Sequence, residues 1–378
     1  MTTHFNPFIV SGKIPAAYFC DRVEESEQLQ RSMTNQLNVV LTSARRMGKT
    51  SLIDYVFDMP DISENYITIN VDILHTTTFR EFIYALGNAV FKRVASRSER
   101  LRRLFVTTLK SLSGSFGYDP VQNTPTFDIK LGDINQPDFT IEEIFAFLEQ
   151  ADKHCLVVID EFQQITKYPE KNVEALLRTH IQKMQNANFI FAGSQRRLME
   201  EMFFSARRPF YQSAKSIRLE PISLPVYTDF VLHHFHEAGK NIEPAAIQHT
   251  YEVFRGVTLY LQRIMKDAFA VTPEGNTCHT EAIGQLIEDF IAENDSRIRE
   301  QLAYITEPQK ELLYAIHEAR QVSSITSSAF TRQHRLKSPS ATQSAAIKLL
   351  EDDLITRNEK IYSIADPLLS LWMDQSIR

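Results

Sequence analysis

Short apolar runs separated by helical patterns occupy the first half of the chain. Four runs rich in β-branched or aromatic residues predict buried strands, at 37–41, 66–71, 155–159 and 189–192. Helical patterns alternate with them, at 24–36, 51–57, 79–110, 141–151 and 173–185. Because parallel strands need helical crossovers, this alternation predicts an α/β fold, with a parallel sheet covered by helices on both faces. Residues 111–138, which contain glycines and prolines, are interpreted as an insertion with a hairpin at 126–131.

From about residue 222 the pattern is helical, with candidate helices at 226–238, 244–254 and 259–270. A third unit begins near residue 301, with helices at 309–319 and 338–350, a short segment near Thr326 between them, and two short strands at 354–356 and 361–364. Ser338 suits the N-cap of the second helix and Pro339 suits its first turn. Helices followed by a hairpin predict a winged helix. We therefore expect three domains: a sheet-bearing core at 1–221, a helical lid at 222–300 and a winged helix at 301–378.

The composition is that of a soluble globular protein. Of the 378 residues, 43% are hydrophobic and 23% charged, and the net charge is −6, so no overall basic excess indicates nucleic acid or acidic lipid. No apolar run reaches the roughly 18 residues of a membrane span, and the N-terminus lacks the order of a secretion signal. The three cysteines are far apart in sequence, which favours a reducing compartment over disulfides or zinc. We expect a cytoplasmic protein.

Between the strand at 37–41 and the helix at 51–57 lies a candidate phosphate-binding loop. A loop in this position turns its backbone N–H groups and a helix N-terminus toward an anion. In this interpretation Gly48 allows close approach of the phosphates, Lys49 reaches the β- and γ-phosphates, and Thr50 offers its hydroxyl to Mg²⁺. Ser43 stands where the first glycine of the usual spacing would be. The predicted nucleotide-binding residues of this loop are Ser43, Ala44, Arg45, Arg46, Met47, Gly48, Lys49, Thr50 and Ser51.

Two carboxylates follow the strand at 155–159, and such groups at the end of a buried strand are costly unless a ligand requires them. Asp160 is predicted to hold Mg²⁺, and Glu161 to orient and deprotonate the attacking water. Ser194 and Gln195 follow the strand at 189–192 and are candidate sensors of the γ-phosphate. A glycine-led loop with polar residues is the alternative interpretation of Ser194 and Gln195. ATP or ADP and Mg²⁺ are the predicted cofactors.

These motifs resemble those of the archaeal-type ATPase family, a branch of the signal-transduction ATPases with numerous domains within the wider AAA+ group. The resemblance covers Ala44–Leu52, Asp160-Glu161-Phe162-Gln163 and Phe191-Ala192-Gly193-Ser194. It extends to an N-terminal segment that in the family packs beside the adenine, carried here by Asn6-Pro7-Phe8, Tyr18-Phe19, Asp21-Arg22 and Glu25. The resemblance therefore implies that Phe19 and Arg22 contact the nucleotide.

The match continues into the second half of the chain with two departures. Gln212 and Ser213 replace a family glycine and arginine, and Thr258 replaces a proline of the lid motif. Tyr362, Asp366-Pro367 and Trp372 resemble the closing motif of the family's winged helix. Because Ser213 displaces the family arginine, Arg207 and Arg208 are the nearest substitutes for an arginine finger, which in a homo-oligomer would serve a neighbouring subunit. Arg45 and Arg46 could act within one chain.

The sequence indicates the binding partner of the protein less clearly than its chemistry. A basic stretch, whose seven cations are Lys92, Arg93, Arg97, Arg100, Arg102, Arg103 and Lys110, could meet nucleic acid or form a solvated helix face. The segment 301–378 carries nine basic and nine acidic residues, which does not support a DNA reader. The leading hypothesis is a Mg²⁺-dependent, slow ATPase that switches conformation with its nucleotide and acts on a protein client. A nucleotide-bound interaction module with little turnover and a DNA-associated ATPase are the alternatives. No membrane partner is expected.

Overall fold

The computed structural model describes residues 5–95, 97–111, 116–119, 124–127 and 131–376. Its contacts divide the chain into two units, Ser11–Glu220 and Met1–Val10 with Pro221–Arg378. The first unit ends one residue before the predicted core boundary, whereas the predicted boundary near residue 301 falls inside the second unit and stays a prediction.

The first unit alternates strands and helices along most of its length. Its elements are α1 (Val23–Thr34), β1 (Val39–Ser43), α2 (Lys49–Asp58), α3 (Pro60–Ser63), β2 (Ile67–Asp72), α4 (Phe79–Ala95), α5 (Glu99–Thr108), β3 (Phe116–Asp119), β4 (Thr124–Phe127), α6 (Pro137–Gln150), β5 (Cys155–Asp160), α7 (Val173–Ile181), β6 (Ala187–Gly193), α8 (Arg196–Phe204) and β7 (Lys215–Leu219). Short 3₁₀ helices lie at Ala16–Tyr18, Leu131–Asp133 and Phe162–Lys167.

Five strands form one parallel sheet in the order β2-β5-β6-β1-β7. The predicted α/β fold is thus confirmed. Strand β6 lies between β1, which leads into the phosphate loop, and β5, which ends in the two carboxylates. In the ladder Thr42 is opposite Gly193, and Asp72 is opposite Asp160. The motifs predicted to bind nucleotide therefore emerge at the same edge of the sheet, where open α/β sheets bind ligands.

Alternate residues of β1 face opposite cores, as the period of a strand requires. Val39 and Leu41 pack in one hydrophobic cluster with side chains of α1 and α2. Val40 belongs to the other cluster, which contains side chains of α4, α6 and α8. The sheet is therefore covered on both faces, as predicted for near-continuous apolar strands.

Two predictions for the first unit were wrong in detail, and one strand was missed. The helix predicted at 79–110 is two helices, because Ser98 adopts extended backbone and its hydroxyl caps α5 by accepting from the Leu101 N–H. The predicted hairpin at 126–131 is displaced, since β3 and β4 pair at 116–119 and 124–127, and residues 128–130 lie outside the described residues. Strand β7 was not predicted. It lies at the sheet edge, where Lys215, Ser216 and Arg218 are exposed and break the apolar run.

The second unit is mainly helical and ends in a winged helix. Its elements are α9 (Leu224–Glu237), β8 (Asn241–Ile242), α10 (Pro244–Val253), α11 (Thr258–Val271), β9 (Thr277–Cys278), α12 (Thr280–Glu293), α13 (Asp295–Ala303), α14 (Glu307–Ala319), α15 (Ser328–Gln333), α16 (Pro339–Glu351), β10 (Ile355–Asn358), β11 (Ile361–Ile364) and α17 (Pro367–Ser376). Strands β10 and β11 are antiparallel and complete the winged helix. The Ser338 hydroxyl caps α16 by accepting from the Ala341 N–H, which confirms the predicted start of that helix.

The first residues of the chain pack with this second unit. Phe8 is fully buried against Phe230, Phe235 and Phe269, and the Asn6 side chain donates to the Lys266 carbonyl. Of the N-terminal segment that resembles the adenine-binding segment of the family, only the part from Ser11 onward belongs to the sheet-bearing unit. Among the described residues, no helix combines the length and the apolarity that crossing a bilayer requires.

Candidate nucleotide site

The candidate phosphate loop runs from the end of β1 to the start of α2. Gly48 has φ +88°, and a Cβ at this position would meet nothing within 4 Å, so the backbone conformation is what favours glycine here. Arg46 also has positive φ, at 67°. Gly48 is the N-cap of α2 and has no side chain with which to cap the helix. A helix N-terminus without a side-chain cap leaves N–H groups for an anion, which fits a phosphate ligand.

The other loop residues differ in exposure. Ser43 and Met47 are buried, Ser51 and Arg46 are half-buried, and Ala44 and Arg45 are exposed. Ser43 is the last residue of β1 and its hydroxyl donates to the Ala44 carbonyl at 2.7 Å. Since Ser43 is not among the residues with positive φ, the entry of the loop does not require glycine. The left-handed turn occurs later, at Arg46 and Gly48.

Lys49, Thr50 and Asp160 come together although 110 residues separate the two motifs. The Thr50 hydroxyl donates to Asp160 Oδ2 at 3.2 Å, and Lys49 is buried close enough to influence the same carboxylate. Burial raises the pKa of Asp160, while the Lys49 ammonium opposes that rise. A hydroxyl and a carboxylate are hard oxygen ligands of the kind Mg²⁺ takes, and they lie at the N-terminus of α2, where phosphates would bind. The donor set therefore fits Mg²⁺.

Glu161 is held at the end of β5 by side chains from two segments. Its Oε2 accepts from the Ser194 hydroxyl at 2.8 Å and from the Gln163 side-chain amide. Its backbone has φ +56°, an uncommon conformation for a residue other than glycine. The structure thus places Ser194 in contact with Glu161, and Gln195 is buried as the N-cap of α8. The contact with Gln163 was not predicted, since the amide lies only two residues away and no spacing rule singles it out.

Phe19 and Arg22, assigned to the nucleotide by resemblance, lie beside α2. The ring of Phe19 stacks on Tyr55, with centroids 4.2 Å apart and planes 5° from parallel. Arg22 is buried, and its guanidinium donates to Glu25 at 2.7 Å, to the Glu220 carbonyl at 2.7 Å and to the Met47 carbonyl at 3.4 Å. Arg22 therefore holds the phosphate loop through its backbone. Tyr55 was missed because a tyrosine on an amphipathic helix carries no site signal of its own.

The two substitutes for an arginine finger have different surroundings. Arg208 forms an ion pair with Glu174 at 2.6 Å within the first unit, and the guanidinium is mostly buried. Burial raises the pKa of Glu174, and Arg208 opposes that rise. Arg207 is exposed. Of the two, Arg207 is the one that a neighbouring molecule could reach, whereas Arg208 has a structural partner.

Several cations of the basic stretch form hydrogen bonds or ion pairs within the first unit. Arg93 donates to the Thr68 hydroxyl at 2.6 Å, and Arg97 donates to the carbonyls of Tyr66 and Ser63. Arg102 and Arg103 both pair with Glu99 on the same helix. These pairings account for four of the seven cations without a nucleic acid.

Comparison with known proteins agrees with this architecture. A family described as "Probable winged helix domain" matches residues 297–375. The fold is similar to that of a Walker-type ATPase of Pyrococcus abyssi, with 17% identity over 97% of this chain and 99% of that chain and a TM-score of 0.68. The ORC2 protein of Aeropyrum pernix, solved in ADPNP–ADP complexes, shares 14% identity over 99% and 97% of the two chains, with a TM-score of 0.58. A comparison with curated proteins finds no significant match.

At these identities the likeness establishes the fold. The chain has the fold of the Pyrococcus abyssi Walker-type ATPase, with a five-stranded parallel sheet, a helical region and a C-terminal winged helix. The expectation drawn from the motifs is confirmed at this level.

Proposed function

We propose that the chain binds ATP with Mg²⁺, hydrolyses it slowly, and changes conformation with the state of its nucleotide. The observation that carries this proposal is the meeting of three motifs at one edge of the sheet. Thr50 contacts Asp160, and Ser194 contacts Glu161, across more than 30 residues of sequence in each case. Residues of these types in contact at the carboxyl ends of parallel strands are suited to phosphoryl transfer, in which the protein mainly positions groups and stabilises charge.

Each side chain has a role in this mechanism. Lys49 and the N-terminus of α2 would bind the phosphates, while Thr50 and Asp160 would hold Mg²⁺. The metal ion, when bound, supplies positive charge that stabilises the transferring phosphoryl group. Glu161 would orient a water molecule toward the γ-phosphorus and accept its proton as the bond to the β-phosphate oxygen breaks. Ser194, which already donates to Glu161, would report whether the γ-phosphate is present. Gln195, the next residue, would assist as a second polar sensor.

The stacked pair of Phe19 and Tyr55 supports a place for the base beside α2. An aromatic face can stack on adenine, and stacking of bases on aromatic side chains is worth about 1–3 kcal/mol per base in nucleic-acid binding. Arg22 would contribute through the Met47 carbonyl, by holding the loop that surrounds the phosphates.

Phosphate release by the purified protein, with ATP and with or without Mg²⁺, tests the hydrolytic part of the proposal. Glu161→Gln should keep ATP bound while turnover falls by roughly 10²-fold or more, the scale of losing a general base. Glu64→Gln, at an exposed glutamate of the same unit, is the matched control and should behave as wild type. ATP binding without turnover in the wild type would instead support the nucleotide-bound interaction module.

Conformational switching can be followed with the single tryptophan of the chain. Trp372 lies in the second unit, where its ring N–H donates to Asp295 at 2.8 Å and Arg299 lies over the ring. The proposed nucleotide site lies in the first unit. A change in Trp372 fluorescence between the ATP-bound and ADP-bound states of Glu161→Gln would show that the nucleotide affects the second unit. Identical emission in all nucleotide states would count against a switch.

A further inference from the structure

The Gln163 side chain is buried within the candidate site, but of its two polar atoms only the amide nitrogen makes a hydrogen bond in the described part of the chain. It is 3% exposed, and its Nε2 donates to Glu161 Oε2. Its Oε1 is also buried and makes no hydrogen bond within the described part of the chain. The orientation of the amide follows from chemistry, because a flipped amide would turn its oxygen toward the carboxylate. A buried carbonyl oxygen without a partner costs stability.

The neighbouring strand leaves room for this glutamine. A Cβ added at Gly193 would lie 2.4 Å from Gln163 Oε1 and 2.7 Å from the Met199 side chain. Only glycine at the end of β6 therefore allows the amide to lie against the strand. Gly193 has no positive φ, so the close approach, and not backbone conformation, is what requires a glycine here.

The segment that carries Gln163 is fixed on both sides. Phe162 is fully buried, with its ring 4.6 Å from that of Phe191 and 5.3 Å from that of Phe210. The next residue, Gln164, donates to the Thr76 carbonyl at 2.9 Å. The Gln163 amide consequently has little freedom to move away from Glu161.

Both side-chain hydrogen bonds to the Glu161 carboxylate use the same one of its two oxygens. Ser194 and Gln163 donate to Oε2, and within the described residues no hydrogen bond involves Oε1. This arrangement fixes the plane of the carboxylate and keeps Oε1 available as the atom that accepts a proton. A side chain that only filled the core would do so better as an apolar residue of the same size, since it would avoid the buried unpaired oxygen.

We propose that Gln163 is a positioning residue for hydrolysis, and that its amide holds the Glu161 carboxylate in the orientation that aims Oε1 at the attacking water. This inference rests on the proposed ATPase function. It assigns to Gln163 no contact with nucleotide or metal. Its effect is exerted entirely through Glu161.

Gln163→Met removes the amide and keeps the length and approximate volume of the side chain. The melting temperature should stay within about 3 °C of wild type, because the lost hydrogen bond is offset by loss of the unpaired oxygen. ATP affinity should be unchanged, while the single-turnover rate should fall about 10- to 100-fold, the scale of misplacing a catalytic group. Gln262→Met is the matched control, since Gln262 lies in the second unit, is also buried and has an Oε1 without a hydrogen bond in the described part of the chain; it should keep the wild-type rate. Gln163→Asn, whose amide is one methylene too short to reach Glu161, gives the same test should the methionine variant fail to fold.

The decisive measurement repeats Gln163→Met in the Glu161→Gln background. A residue that acts only through Glu161 should cause no further loss of rate there. An equal loss in both backgrounds, or a parallel loss of ATP affinity, would show a structural role and overturn the inference. Wild-type turnover in Gln163→Met, with turnover reduced in Glu161→Gln, would also overturn it while leaving the ATPase assignment intact. Absence of turnover in the wild type would refute the proposed function, and this inference with it.

Discussion

Replacing Arg22 should destabilise the first unit more than any surface arginine does. Its guanidinium is 6% exposed and joins three parts of this unit: Glu25 on α1, the Met47 carbonyl in the phosphate loop, and the Glu220 carbonyl after β7. Arg22→Met keeps the apolar stem and removes every donor. The Glu25 carboxylate and two carbonyls then lose their partner.

The expected loss of unfolding free energy follows from the two contacts at 2.7 Å, to Glu25 and to the Glu220 carbonyl. A hydrogen bond to a charged group contributes about 1.5–3 kcal/mol, and breaking a buried ion pair costs about 3–5 kcal/mol. Because Glu25 remains 21% exposed and can regain water, the lower end applies, and we expect a loss of about 3 kcal/mol. For a unit of this size each kcal/mol lowers the melting temperature by about 2–4 °C, so the expected decrease is about 6–12 °C.

Thermal unfolding followed by circular dichroism gives the measurement, and urea unfolding gives the free energy. Arg31→Met is the matched control, since Arg31 lies on α1, the helix that Arg22 precedes, is 70% exposed and is 4.0 Å from its partner Glu27. An exposed pair of this kind contributes about 0–1 kcal/mol. ADP affinity should also fall in Arg22→Met alone, because Met47 belongs to the phosphate loop. Melting temperatures for the two variants within about 2 °C of each other would refute the reasoning.

Four further substitutions test the first unit. Lys49→Ala should abolish or severely weaken ATP binding by removing a cation from the triphosphate, and unchanged affinity in calorimetry would exclude Lys49 from the phosphate site. Because burial raises the pKa of Asp160, folding favours its protonated form, and the nucleotide-free protein loses stability as the pH rises through that titration. Asp160→Asn should therefore have a higher melting temperature than wild type at neutral pH but lose Mg²⁺-dependent turnover. An unchanged or lower melting temperature would contradict the predicted direction of the change in stability. Arg208→Ala should destabilise by leaving Glu174 buried without its partner, whereas Arg207→Ala should fold normally. If Arg207 serves a neighbouring subunit, specific activity should rise with protein concentration in wild type and the Arg207→Ala variant should lose rate while still binding ATP.

The elements predicted correctly are those whose signal is local. The strand at β5 has an unbroken apolar run because both its faces are buried, and α16 has its capping serine and first-turn proline in adjacent positions. The edge strand β7 lacks such a signal, since three of its five side chains are exposed. Helices α12 and α13 bury apolar stripes but were not predicted, since candidate helices were identified only as far as residue 270 within the lid predicted at 222–300.

The parts of the candidate site that could be predicted are those whose residues lie in contiguous sequence motifs. Lys49, Thr50, Asp160 and Glu161 follow from residue type at the end of a strand, although the site assignment itself stays a prediction. The pairs that support them do not follow, because their members come from distant segments or from positions without a motif. Phe19 with Tyr55 and Arg208 with Glu174 are examples, each defined only by how a residue outside the helices packs against a residue of a helix.

Features that cost stability gather at one strand end of this structure. Glu161 has positive φ, Asp160 has a raised pKa, and Gln163 has a buried oxygen without a partner in the described chain. Each is unfavourable for folding by itself, since strain, desolvated charge and unpaired polar atoms all oppose the native state. Glycine at position 161, with neutral or apolar side chains at 160 and 163, would relieve all three. That they lie within four consecutive residues, beside the phosphate loop, is explained if this segment is retained for what it does to a bound nucleotide and not for stability.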